Sequence, residues 1–83
     1  MQGVIERGAP GQMAVAITPH DSTNFTNGKC RAIWVGGDGN VAIVPPTGSV
    51  VTFVGAKAGT IIPMNAIRVN STNTTATNLV AIY

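Results

Sequence analysis

Apolar residues in this chain come in short runs, separated by clusters of Gly, Pro, Asn, Asp, Ser and Thr. Met13 to Thr18, Lys29 to Val35, Asn40 to Val44, Val50 to Val54 and Thr77 to Tyr83 are each rich in β-branched, aromatic or small apolar residues. Runs of that length and composition, bounded by turn formers, read as strands. Thr60 to Asn70 is too β-branched for a helix and carries Pro63 in its middle. It reads as a short strand, a kink or bulge at Pro63, and a second strand centred on Ile67 and Val69. Gly and Pro interrupt every window long enough for a helix. The pattern therefore predicts an all-β fold, a small antiparallel β-sandwich or β-barrel of about six to seven strands with no substantial helix. A barrel would close its edges, which suits a chain whose last residue, Tyr83, lies within a strand.

Lys29 to Val54 is the centre of this pattern. Three apolar runs are split by Gly36-Gly37-Asp38-Gly39 and by Pro45-Pro46-Thr47-Gly48-Ser49. Turn residues of that kind between alternating runs predict a three-stranded antiparallel meander, with Gly36 to Gly39 as a hairpin turn. Asn40 to Val44 is almost wholly apolar and reads as a central strand buried on both faces. In the first run, strict alternation puts Cys30, Ala32 and Trp34 on one face and Lys29, Arg31, Ile33 and Val35 on the other. With Trp34 taken as the core side, Arg31 and Ile33 face outward as a mixed surface that a partner would cover.

Residues 1–12 show no useful helix or strand period and hold three Gly and one Pro. They read as a flexible or extended N-terminal arm preceding a single all-β domain at 13–83. Val4 and Ile5 are the arm's candidate anchors on a neighbouring subunit.

Composition sharpens this picture. The chain has 83 residues, 45% of them hydrophobic and 10% charged, with a net charge of +2. A typical soluble domain is about 25% charged, so part of this surface is expected to lie against other subunits. The five basic residues are scattered, whereas nucleic-acid binding wants a clustered basic patch interleaved with aromatics. No apolar run approaches the roughly 20 residues of a membrane span. No charged segment followed by a long apolar run opens the chain, so synthesis in the cytoplasm is expected. Neither nucleic acid nor membrane is expected as a partner.

Candidate chemistry is sparse. Thr18-Pro19-His20-Asp21 places the only His beside a carboxylate, but a metal site needs three or four ligands and a triad needs a defined nucleophile. Cys30, the only cysteine, reads as a small buried hydrophobe. Gly36 to Gly39 lacks the Lys-Ser/Thr pair and the following helix of a phosphate-binding loop. The sequons at Asn24, Asn70 and Asn73 match the glycosylation pattern by chance in so Thr- and Asn-rich a chain. No catalytic residue, metal ligand or cofactor is expected. Arg31 and Arg68, each inside an apolar run, read either as snorkelling edge residues or as partner contacts.

Several segments together resemble one family. They are Ile17-Thr18-Pro19-His20-Asp21; Cys30-Arg31-Ala32-Ile33-Trp34-Val35-Gly36-Gly37-Asp38-Gly39; Val51-Thr52-Phe53-Val54-Gly55; Gly59-Thr60-Ile61-Ile62-Pro63; and Arg68-Val69 through Thr74-Thr75-Ala76-Thr77 to Leu79-Val80-Ala81-Ile82-Tyr83. In order and in register, this set resembles the small spike-base and head decoration proteins on capsids of tailed bacteriophages and gene transfer agents. It covers residues 17–83; Pro45-Pro46 and Asn65-Ala66 depart from the family pattern. The resemblance implies a non-enzymatic virion protein that binds the capsid surface as a trimer or pentamer. Its partners would be copies of itself, the major capsid protein and a spike or fibre protein. A tail or baseplate component is the alternative. A carbohydrate-binding module, which would need Trp34 or Tyr83 exposed as a stacking platform, is the second alternative. Val4, Ile5, Arg31, Ile33 and Arg68 are the candidate contact residues.

Overall fold

The computed structural model describes residues 11–83 as a sandwich of two antiparallel sheets, without helix among the described residues. Seven strands follow in chain order: β1 (Ala14–Ala16), β2 (Ala32–Val35), β3 (Gly39–Val44), β4 (Val51–Ala56), β5 (Thr60–Ile62), β6 (Arg68–Asn70) and β7 (Val80–Ile82). One sheet has the order β1-β7-β2-β5 and the other β4-β3-β6. The expected arm at 1–12 lies largely outside the described residues, as do Val4 and Ile5. At its end, the Gln12 N–H donates to the Tyr83 carbonyl at 2.6 Å and prolongs the β1–β7 pairing.

The expected meander does not form. β2 pairs with β5 and β7, whereas β3 pairs with β4 and β6. Only β3 and β4 make the anticipated hairpin. Gly36 to Gly39 is therefore a crossing between sheets, and its glycines serve close packing. A Cβ on Gly36 would lie 2.5 Å from the Asn78 carbonyl oxygen, and the Gly37 N–H donates to the Thr77 carbonyl at 2.8 Å. Turn chemistry in the sequence marks a reversal, but which strand the chain then joins depends on contacts with residues some forty positions later. Pro63 likewise marks a change of sheet, with β5 before it and β6 after it.

The core is made by the facing sides of the two sheets. Ile33, Val35, Ile62, Leu79 and Ala81 from one layer meet Val41, Ile43 and Val69 from the other, with Cys30, Ala66 and Ala76 completing the cluster. Burying each large aliphatic side chain is worth roughly 1.5–3 kcal/mol. β3 is the central strand that its apolar run predicted, with Val41, Ala42 and Ile43 all buried. A bulge shifts its register between Gly39 and Val41. Asn40, at the bulge, uses the freed groups: its N–H donates to Thr75 Oγ1 at 2.8 Å and its Oδ1 accepts from the Gly55 N–H at 3.0 Å.

The facing of β2 corrects the alternation argument. Ile33 and Val35 are fully buried, and Trp34 is 37% exposed. Cys30 does lie in the core, as expected, but in an isolated bridge to Ala66 before the strand begins. The chain bends at Arg31, so the alternation loses phase between Cys30 and Ile33. Ile33 is thus a core residue rather than a contact residue.

Candidate interaction surface

The residues with catalytic potential are used for local structure. His20 Nδ1 accepts the backbone N–H groups of Ser22 and Thr23, both at 3.1 Å, and so caps the turn after Pro19. Asp21 accepts the Thr72 N–H at 2.9 Å and its hydroxyl at 2.7 Å. These bonds to the charged form hold the carboxyl below its ordinary value of 3.8. Burial pushes the Cys30 thiol above its ordinary 9.0, outweighing the nearby backbone donors, so the reactive thiolate is disfavoured. Among the described residues, no group of three His, Cys, Asp or Glu side chains could hold a metal.

A cleft of about 360 Å³ lies beside β1, lined by the apolar Val15, Ile17, Phe25 and Ala81, by Tyr83, and by polar residues that include Thr23, Asn24, Thr26 and Asn27. His20 and Tyr83 are the titratable side chains in its lining. The Tyr83 hydroxyl donates to the Gly28 carbonyl at 3.0 Å, and burial first, then the neighbouring Cys30, raises its pKa. The cleft's lining holds no carboxylate among the described residues.

The unusual chemistry is on the outside of the four-stranded sheet. The registers place Ala16, Val80, Trp34 and Ile61 in one row across its outer face, and Ala14, Ile82 and Ala32 in the next. All seven are apolar, where an antiparallel sheet facing water would alternate to polar residues. Ile61 is 51% exposed beside Trp34. The second exposed apolar site is β4, the end strand of the other sheet, where Val51 is 53% and Val54 79% exposed. β4 runs six residues without a charge or a proline, and such an edge is a template for pairing with another chain. The sequence marked β4 as a strand, but only the sheet order shows that it is an edge.

Arg31 and Arg68 differ in situation. Arg31 is exposed at the bend before β2. Arg68 is half-buried: Nε donates to Asn70 Oδ1 at 2.8 Å and Nη1 to Asn24 Oδ1 at 3.0 Å. It clasps the loop after β1 to β6, a role the sequence did not disclose because Asn24 is 44 residues away.

No protein-family model matches the chain, and no curated protein matches it. A solved structure does. A chain in the capsid of a native gene transfer agent (GTA) particle, computed with C5 symmetry, superimposes with a TM-score of 0.82 at 34% sequence identity, over 92% of this chain and 87% of that one. This chain belongs to the capsid-associated proteins of phage-like particles. The apolar outer face and the uncovered β4 edge are its most distinctive features.

Proposed function

We propose that this chain is a non-enzymatic structural virion protein that binds the capsid surface as an oligomer. It would be a decoration, cement or spike-base protein, made in the host cytoplasm and carried on the virion. The observation that carries this reading is the 34% identity over most of both chains to a component of a native GTA capsid. That likeness favours the head over a tail or baseplate position. The oligomer is a trimer or a pentamer.

Contact falls to the exposed groups. The β4 edge, with Val51 and Val54, offers backbone pairing and apolar area to a neighbouring copy. Arg31 reaches toward the major capsid protein. Arg68 contributes through the guanidinium N–H groups that Asn24 and Asn70 do not use. A spike or fibre protein is the further partner that such a base would support.

One observation favours the carbohydrate-binding alternative: Trp34 is exposed. Sugar sites, however, combine an aromatic platform with polar groups that fix the hydroxyls. The row positions beside Trp34 are Ile61 and Val80, neither of which can do so.

The test is cosedimentation of the purified full chain with particles that lack it. Wild-type protein should pellet with the particles, and Val54→Glu with Arg31→Glu should stay in the supernatant with unchanged far-UV circular dichroism. Binding by the double variant as tight as wild type would remove these residues from the contact. Failure of the wild type to bind any capsid, together with a sugar-dependent shift in Trp34 emission, would replace the reading with the carbohydrate module.

A further inference from the structure

We propose that β4 of the free chain pairs with β4 of a second copy, antiparallel about a two-fold axis at Thr52. The proposal rests on reading β4 as the surface that meets a neighbouring copy, and adds the register and the symmetry. Among the described residues, β3 is the strand that pairs with β4. The N–H and C=O groups of alternate β4 residues therefore point away from the sheet. The strand has no charge and no proline to discourage a partner.

Exposure decides the register. In an antiparallel pair centred on Thr52, Val51 lies opposite the partner's Phe53, and Val50 opposite the partner's Val54. Val50, Val51 and Val54 are 46%, 53% and 79% exposed, and each acquires an apolar neighbour. Val51 and Phe53 stand beside the core residues Ile43 and Val41 in the ladder, so the pairing prolongs the core rows. Thr52 meets its own copy at the axis, a favourable cross-strand pair. A register centred on Phe53 would set Val54 against Thr52 and Val51 against Gly55, and one centred on Val51 would leave Val54 opposite Gly48.

A bulge confines the pairing to this segment. Phe53 pairs with Val41 and Ala56 with Gly39, so Val54 and Gly55 together face Asn40. Gly55 takes a φ of 74°, and a bulge of this kind turns the strand and ends regular pairing beyond it. Area sets the strength. Six residues at about 3.4 Å, on a sheet layer about 10 Å thick, present an edge of roughly 200 Å². A stable complex buries about 800 Å² on each side, so main-chain hydrogen bonds carry the contact and it is reversible. A trimer or pentamer is built from head-to-tail contacts, whereas a two-fold contact closes on itself. The β4 pair is therefore a state of the free chain, and it opens when assembly takes up the edge.

Cysteine crosslinking of the full chain tests the axis. In Thr52→Cys the two Cα atoms would lie about 4.5–5.5 Å apart, within disulfide range. In Val54→Cys the thiols would lie four positions out of register, about 13 Å apart, although Val54 is the more exposed. Cys30 is buried and stays silent. Mild oxidation should link Thr52→Cys into dimers at least about tenfold faster than Val54→Cys. Sedimentation of the wild type should show a monomer–dimer equilibrium that Val54→Lys abolishes, since an edge lysine opposes pairing. Equal crosslinking rates, or a wild type still monomeric at about 1 mM, would overturn the proposal. A monomeric wild type that cosediments with particles would remove the pairing and leave the capsid reading standing. A dimer that binds no particle would do the reverse.

Discussion

The two sheets share one core but face outward with opposite chemistry. Outside β4-β3-β6, the row through Ala42 continues to Thr52 on one side and Asn70 on the other, and the next pairs Val44 with Arg68. The loop after β1 folds along β6 there, with the His20 N–H donating to the Val69 carbonyl, Phe25 to Ile67, and Arg68 joining Asn24. Outside β1-β7-β2-β5 the exposed rows are Ala, Val, Ile and Trp, without a polar side chain in the ladder. One sheet is finished by its own loop and polar groups. The other presents a surface that water does not favour, and this is the side over which Gly11 enters. In so weakly charged a chain, where the apolar residues lie says more about function than how many there are.

The sharpest way to break this comparison is to exchange its inside for its outside on β2. Ile33→Ala should destabilise the domain by about 2–5 kcal/mol, since it opens a cavity in the core. Trp34→Ala should cost about 1 kcal/mol or less, the range of an exposed cross-strand pair. Urea denaturation of both variants measures the difference. Equal losses would mean that Trp34 is packed as deeply as Ile33.

The crossing that separates the sheets comes next. Gly36→Ala should cost roughly 1–3 kcal/mol, because its new methyl meets the Asn78 backbone, which has no side-chain freedom to give. A thermal melt reads the loss. An unchanged midpoint would show that the crossing has room that the packing denies.

The smallest expected effect concerns acid, and it discriminates between the two sides. Asp21 is held below its ordinary value of 3.8 chiefly by Thr72. A carboxyl lowered on folding adds stability above its unfolded value and loses it as the pH falls through the folded one. The melting midpoint of the wild type should therefore drop more steeply below pH 3.8 than that of Asp21→Asn. Trp34 emission should not move before global unfolding, because its described cross-strand neighbours Val80 and Ile61 do not titrate. A Trp34 shift that precedes unfolding would contradict that separation.

The likeness to a capsid component and the surface chemistry point the same way, but they carry different weight. Identity of 34% over nearly the whole chain places the protein in its family. The β4 edge is uncharged over six residues, and an edge of that kind left in water is a template for pairing. The chain offers Lys57 and Asp38 near this end, joined at 3.9 Å on the surface, and a pair so exposed adds little. Asp38 matters more through the Ala58 N–H, which it accepts at 2.7 Å and which ties the crossing to the turn after β4.

The sequence by itself determined the class of fold, the number of strands and most of their positions. Apolar runs of strand length, cut by Gly and Pro, leave a helix no room, and β-branched residues favour the pleated backbone. It determined that β3 is central, because the unbroken apolar run Val41 to Val44 has to be covered on both faces. It also pointed to a capsid-associated protein of phage-like particles, through short segments that keep their order and spacing. Tertiary structure alone decided how those strands are shared between sheets. A Gly-rich turn permits a hairpin and a crossing equally, and the choice at Gly36 rests on Thr77 and Asn78, far along the chain. Tertiary structure also decided which face of β2 is inside, since a one-residue slip at Arg31 exchanges every side chain after it. The same slip moved Ile33 from surface to core and Trp34 from core to surface, and so placed Trp34 in the apolar outer face of its sheet.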